Sequence, residues 1–219
     1  MGPYSIYLML NIPFYSNTKD DSHCVQACSK SILKFYFPDK NFSFKYLDKQ
    51  TNHQNNTATW DSAMLLFLSK LNFKIIYITK FDYQKFAKNG ENYLQSLWTD
   101  EIYQFQKLYS NFEKERKLAK KLIKNKSIKI LKRSAKISDL KTLFNKSYLI
   151  MVPINPLVLE NKKGFYNHMV LITNITKHFV YFHDPGLPPY KNRKITLKKF
   201  WQAAGYPNSK SVDLIAVKH

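Results

Sequence analysis

The chain has 219 residues, 44% of them hydrophobic and 16% aromatic, and 35 Lys and Arg against 15 Asp and Glu give a net charge of +20. That length and apolar content exclude wholesale disorder and suffice for one well-filled core, and the absence of an internal period argues against a repeat architecture. Two cysteines four apart on a predicted helix would point in much the same direction, so free thiols in a reducing, cytoplasmic setting are expected.

In chain order, Ser5–Leu10 reads as a strand. Asn11 and Pro13 interrupt its apolar run and no Lys or Arg precedes it, so it is not read as a secretory signal. No stretch reaches the length of a membrane span. A polar loop over 13–21 leads into Asp20-Asp21-Ser22-His23-Cys24-Val25-Gln26-Ala27-Cys28. Val25, Cys28, Ile32 and Tyr36 then recur at steps of three and four, which predicts a helix from Cys24 to about Tyr36. Asp21 or Ser22 is the expected N-cap. This places the Cys24 thiol in the first turn, where unpaired N–H groups and the helix dipole favour negative charge. The same local pattern also fits two small apolar residues in a core.

A short helix over 42–50, a polar loop over 51–57 and a helix from about Asp61 to Leu71 follow. Phe73–Thr79, rich in Ile and Tyr, predicts a buried strand. Residues 80–134 read as a basic helical insertion. Trp98, Ile102, Phe105, Tyr109, Phe112, Ala119 and Leu122 predict one long helix over roughly 98–124 with a buried apolar stripe. Residues 114–146 carry thirteen Lys or Arg against Glu115 and Asp139, a local excess of +11 and just over half of the total imbalance. Such a one-sign field suits an acidic partner, nucleic acid or an anionic surface through the Lys114–Lys146 region. The insertion is expected to cover or flank the functional cleft.

After a short helix at 139–144 the texture becomes β. Tyr148–Pro153, His168–Thr173, His178–Phe182 and Val212–Val217 predict strands, with a helical turn or two within 195–204. Helices first and an antiparallel sheet after them define an α+β class. His168 opens one strand and Asp184 closes the next. Both lie about equally far from the turn at 174–177, so antiparallel pairing brings them to one end of the sheet. A Cys at a helix start, a His on a strand and an Asp on the adjacent strand make up a nucleophile, base and orienter. Asp-Pro-Gly at 184–186 is also a common plain turn. His183 is the weaker base, because strand alternation turns it away from the face of Asp184. His23, Cys24 and Cys28 lack the spacing of a zinc site.

Together these segments resemble the C39-like branch of the papain-like cysteine peptidases. The resemblance is carried by Asn11-Ile-Pro-Phe-Tyr-Ser-Asn17, Cys24-Val-Gln-Ala-Cys28, His168-Met-Val-Leu-Ile, Tyr181-Phe-His-Asp-Pro-Gly186, Phe200-Trp201 and the closing strand. It implies a papain-like fold over 1–219, as a stand-alone member with an insertion at about 80–134, in which N-terminal helices pack on a C-terminal antiparallel sheet. It also implies Cys24 as nucleophile, His168 as base and Asp184 as orienter. Where the family usually has a Gln that donates to the oxyanion, this chain has Asn17, a shorter donor. Val25 and Gln26 stand where the family tends to have Gly or Pro. The activity implied is cleavage of a peptide or isopeptide bond through a thioester, without metal or other cofactor. Acyl transfer or deamidation would use the same triad. The alternatives are a polyanion-binding protein and a non-catalytic relative that grips peptides.

Overall fold

Alternation along three strands decides the centre of the molecule. Leu149, Met151, Met169, Leu171, Ile215 and Val217 face one apolar layer, whereas Ile150, Val152, Val170, Ile172, Leu214 and Ala216 face another. A one-residue slip would exchange the two sets, so burial on both faces fixes the register. Each such side chain contributes roughly 1.5–3 kcal/mol when fully buried. The computed structural model describes residues 11–53, 59–164, 166–205 and 211–219. The predicted strand at Ser5–Leu10 and most of the polar loop over 51–57 lie outside them.

The first layer is built from α1 (Cys24–Tyr36), α2 (Phe44–Thr51) and α3 (Asp61–Lys70). After β1 (Lys74–Thr79) come α4 (Tyr83–Asn89), α5 (Glu91–Leu97), α6 (Asp100–Tyr109), α7 (Phe112–Leu122) and β2 (Ile128–Lys132). Then follow α8 (Ile137–Asn145), β3 (Leu149–Ile154), α9 (Pro156–Leu159), β4 (His168–Ile175), β5 (Phe179–Asp184), β6 (Tyr190–Thr196), α10 (Leu197–Ala204) and β7 (Leu214–Lys218). The seven strands form one sheet in the order β2-β1-β7-β3-β4-β5-β6, antiparallel except for the β1–β2 pair. Residues from α1 to α7 fill the core on one face, and Leu140, Leu143, Leu159, Phe200 and Ala203 fill the other. The α+β architecture therefore holds, with the sheet drawing two strands from the first 132 residues. No described helix is long and apolar enough to cross a membrane.

Two expectations change. The helix over 98–124 is two helices, α6 and α7, preceded by a break at Trp98. Thr99 accepts from Ile102 N–H and Asn111 accepts from Lys114 N–H, so each starts a new helix with its own cap. Its apolar stripe is only partly buried: Trp98 and Phe112 pack around Trp60, but Phe105 is 57% and Ile102 40% exposed. Residues 80–134 carry α4 to α7 and β2. They end in edge strand β2, four strand spacings from β4, about 19 Å. Their side chains bond to Trp60 and Ser69 and, among the described residues, to none of Cys24, His168 or Asp184.

One buried group in this helical layer sets a pH dependence. Burial pushes the Glu115 carboxyl up to about 7, with the neighbouring Asp61 adding to the shift. A carboxyl held higher in the folded chain than in the unfolded one costs stability as pH rises from about 4.5 through about 7. Glu115→Gln should therefore raise the unfolding free energy from denaturant titration at pH 8, by up to about 3 kcal/mol. The difference from the unmodified protein should vanish below pH 4.5; equal stability at pH 8 would contradict it.

Candidate active site

The pairing of β4 with β5 builds the site from the sheet outward. Leu171 lies opposite His183 and Ile172 opposite Phe182, which brings the start of β4 and the end of β5 to one edge. There His168 Nε2 lies 2.8 Å from Asp184 Oδ1. Both are buried, at 1% and 3% exposure. Gly186 N–H also donates to Asp184 Oδ1 at 3.2 Å. A Cβ on Gly186 would stand 3.1 Å from that oxygen and 3.3 Å from His168 Nε2, so a larger residue would have to push the pair by a few tenths of an ångström.

Helix α1 brings the sulfur. The Cys28 thiol donates to the Met169 carbonyl at 3.5 Å, docking the first two turns of α1 on the start of β4. One turn earlier, Cys24 is then set beside His168, the residue before Met169. Burial alone would lower the imidazole, but the bond to Asp184 and the nearby Asp184 and Cys24 groups outweigh it and raise His168 to about 10. Asp184 is buried, which would raise it, yet His168, Arg193 and Gly186 hold it below its ordinary value. His168 Nδ1, the nitrogen that Asp184 does not use, is buried with no hydrogen-bond partner among the described residues. It is the nitrogen left for exchange with a sulfur or a reacting group. Cys24 is partly exposed, whereas Cys28 is buried and its thiol is pushed well up by burial.

The expected cap is replaced. His23 takes the N-cap position without a side-chain cap bond, and the Asn17 carboxamide reaches forward to the helix start. Asn17 Oδ1 accepts from His23 N–H at 2.6 Å and from Thr18 N–H at 2.9 Å, which fixes the amide so that its NH2 group points the other way. One of those hydrogens goes to Asp21 Oδ1 at 2.7 Å, and the second has no acceptor among the described residues. Neither Asp21 nor Ser22 caps α1. Asp21 instead takes a left-handed φ of 54° and accepts from the Tyr166 hydroxyl at 2.8 Å. The Tyr166 ring lies almost parallel to the His168 imidazole, 6.3 Å away. The first intrahelical bond of α1 runs from Ala27 N–H to the His23 carbonyl, so the N–H groups before it have no helical acceptor.

His183 turns away from this cluster. Its Nε2 is 2.9 Å from the Ile12 carbonyl and its ring packs on Phe14. His23 is also occupied elsewhere, with Nε2 3.2 Å from Asp48 Oδ1 and Nδ1 shared by Thr18 and Ser22. No three His, Cys, Asp or Glu among the described residues are arranged to hold a metal ion.

Two residues of the site escape a sequence reading. Tyr166 carries no motif. Arg193 lies on β6, whose Lys- and Arg-rich sequence hides a strand, and it bonds Asp184 Oδ2 at 2.7 Å. One signal was available: Arg193 is one of three arginines in a chain that otherwise uses lysine.

No family model matches the chain, and no curated protein matches it in sequence. Among solved structures it is similar to the peptidase domain of Streptococcus ComA, a bi-functional ABC transporter involved in a quorum-sensing pathway. The TM-score is 0.50 at 13% identity, over 94% of this chain and 98% of that one. At that identity the likeness is one of fold, and the fold is that of a papain-like, C39-type peptidase domain.

The two thiols should separate in chemistry. Limiting iodoacetamide on the folded protein, followed by peptide mass mapping, should modify Cys24 at least tenfold ahead of Cys28, on the order expected for an exposed against a buried thiol. Preferential modification of Cys28 would overturn the placement of the sulfur.

Proposed function

We propose that the chain is a cysteine hydrolase that cuts a peptide or isopeptide bond through a thioester on Cys24. The observation that carries this reading is the buried His168–Asp184 pair, with an unpartnered Nδ1, beside a cysteine at a helix start. His168 accepts the Cys24 proton, and the sulfur attacks the carbonyl carbon. The C–N bond breaks as His168 returns that proton to the leaving amine. Water then attacks the thioester while His168 takes its proton, and the carboxylate product leaves with the thiol restored. Asp184 orients the imidazole. The oxyanion is bound by the Cys24 backbone N–H and the second hydrogen of the Asn17 amide, which Asp21 and the two backbone donors hold in place. Transfer of the acyl group to an amine, or deamidation of a carboxamide, uses the same steps with a different acceptor or leaving group.

The test is cleavage of a proteome-derived peptide mixture, read by mass spectrometry. His168→Ala should abolish it and His183→Ala should leave most of it. Asn17→Ala should slow turnover about 10²–10³-fold, as loss of an oxyanion donor does elsewhere. Because the imidazole is raised to about 10, its proton is present throughout neutral pH and is lost only as pH rises through that value. Cleavage should therefore decline on the alkaline side near 10 rather than near 6.5. Equal losses at His168 and His183, or no cleavage by the unmodified protein, would contradict the reading.

The insertion supports an acidic partner. Lys117, Lys120, Lys121, Lys124 and Lys126 are exposed on and after α7, so their charge faces solvent as one field. The same observation favours the second reading, a protein that binds polyanions. Neutralising Lys120, Lys121, Lys124 and Lys126 together should slow association with an acidic peptide at low salt to the rate seen at about 0.5 M salt, where screening is short-ranged. Cys24 alkylation should be unchanged. Unaltered association at low salt would make the run a solvated face only.

A further inference from the structure

Asp184 is held from both sides. Oδ1 takes His168 Nε2 and the Gly186 N–H, and Oδ2 takes a single partner, Arg193 Nη1, at 2.7 Å. Arg193 comes from edge strand β6, in the stretch where Asp184 pairs with Tyr190 across a break in register. Its side chain is 17% exposed, and the Tyr190 ring covers the guanidinium at 5.0 Å. A lysine-rich chain spends its few arginines selectively. Arg116 reaches the Ala87 and Lys88 carbonyls, Arg133 grips both oxygens of Asp139, and Arg193 grips the carboxylate beside the imidazole. Each is a place where a planar, directed donor does what a flexible ammonium does less well.

We propose that Arg193 is a positioning residue for the Cys24–His168–Asp184 site: it fixes the Asp184 carboxylate so that only Oδ1 faces the imidazole, and it shares that carboxylate's charge. The role rests on the hydrolase reading above, but its geometry does not. Without Arg193, Oδ2 would be a buried acceptor with no donor, free to rotate toward whatever water reached it. The full charge of Asp184 would also fall on His168. An imidazolium held too firmly is a weaker acid toward a leaving amine, so sharing the carboxylate keeps the proton transferable.

The test is NMR of histidine-labelled protein in a Cys24→Ala background. Removing the sulfur takes away one of the groups that raise His168 and so brings its titration into an accessible range. With Arg193 present, the Nε2 proton shared with Asp184 should give a sharp, strongly downfield signal. Arg193→Gln should broaden or abolish that signal and move the His168 midpoint upward by on the order of one pH unit, the effect of removing a nearby like charge. Arg193→Lys should keep the charge and hold the midpoint within a few tenths of a unit. If the Gln variant does not fold, Arg193→Met removes the charge at similar length and should give the same readings. A midpoint and signal unchanged by loss of the guanidinium, even with a lowered melting temperature, would overturn the proposal and leave Arg193 a structural tether. Neither reading uses a peptide, so a failure to find peptide cleavage would count against the hydrolase and not against this role.

Discussion

A carboxylate and an imidazole buried together at the end of two strands are the constraint on which the rest of this structure turns. Taking both out of water costs several kcal/mol unless every remaining lone pair and proton finds a partner. Around Asp184 they do: His168, Gly186 and Arg193 between them occupy both oxygens. Around His168 one nitrogen is left without a partner, and the helix that carries Cys24 is docked beside it. Such a pair is a poor device for stability, since well-packed apolar residues would serve as well or better. Such a buried pair is what the proposed hydrolase would require of this sheet end.

The surrounding elements read as supports for that pair. Strands β4 and β5 bring the two residues to the same edge, and the layers on either face hold the register that does so. The loop before α1 is knitted by Asn17, Asp21 and His23 into a rim around the cysteine, and Tyr166 joins that rim through Asp21, its ring almost parallel to the imidazole. The excess positive charge is kept elsewhere. Exposed lysines lie on α7 and on edge strand β2.

Legibility in the sequence follows burial. Helix α1 and strands β3, β4, β5 and β7 carry one or two apolar faces, and their periodicity predicts them to within a few residues. Strands β2 and β6 are edges, with Lys129, Lys132, Lys191 and Lys194 diluting the pattern, and neither was expected. The run at 98–124 has helical spacing throughout, so its spacing gives no sign that Thr99 and Asn111 would turn from interior polar residues into caps. The α1 cap was misplaced because its acceptor, Asn17, arrives from six residues upstream of His23 instead of from the adjacent Asp21 or Ser22. Cys24, His168 and Asp184 stand out as candidates in the sequence because each sits where an element begins or ends. Arg193 and Tyr166 act through tertiary contact alone, and local sequence holds no trace of that.

The covalent step is where the hydrolase reading stands most exposed. Protein quenched in acid while it turns over a peptide mixture should carry, by intact mass and peptide mapping, an acyl adduct on Cys24 that hydroxylamine removes, as a thioester requires. Cys24→Ala protein should carry none, and His168→Ala should form it far more slowly. An adduct that maps to another residue, or peptide cleavage undiminished in Cys24→Ala, would contradict catalysis through Cys24.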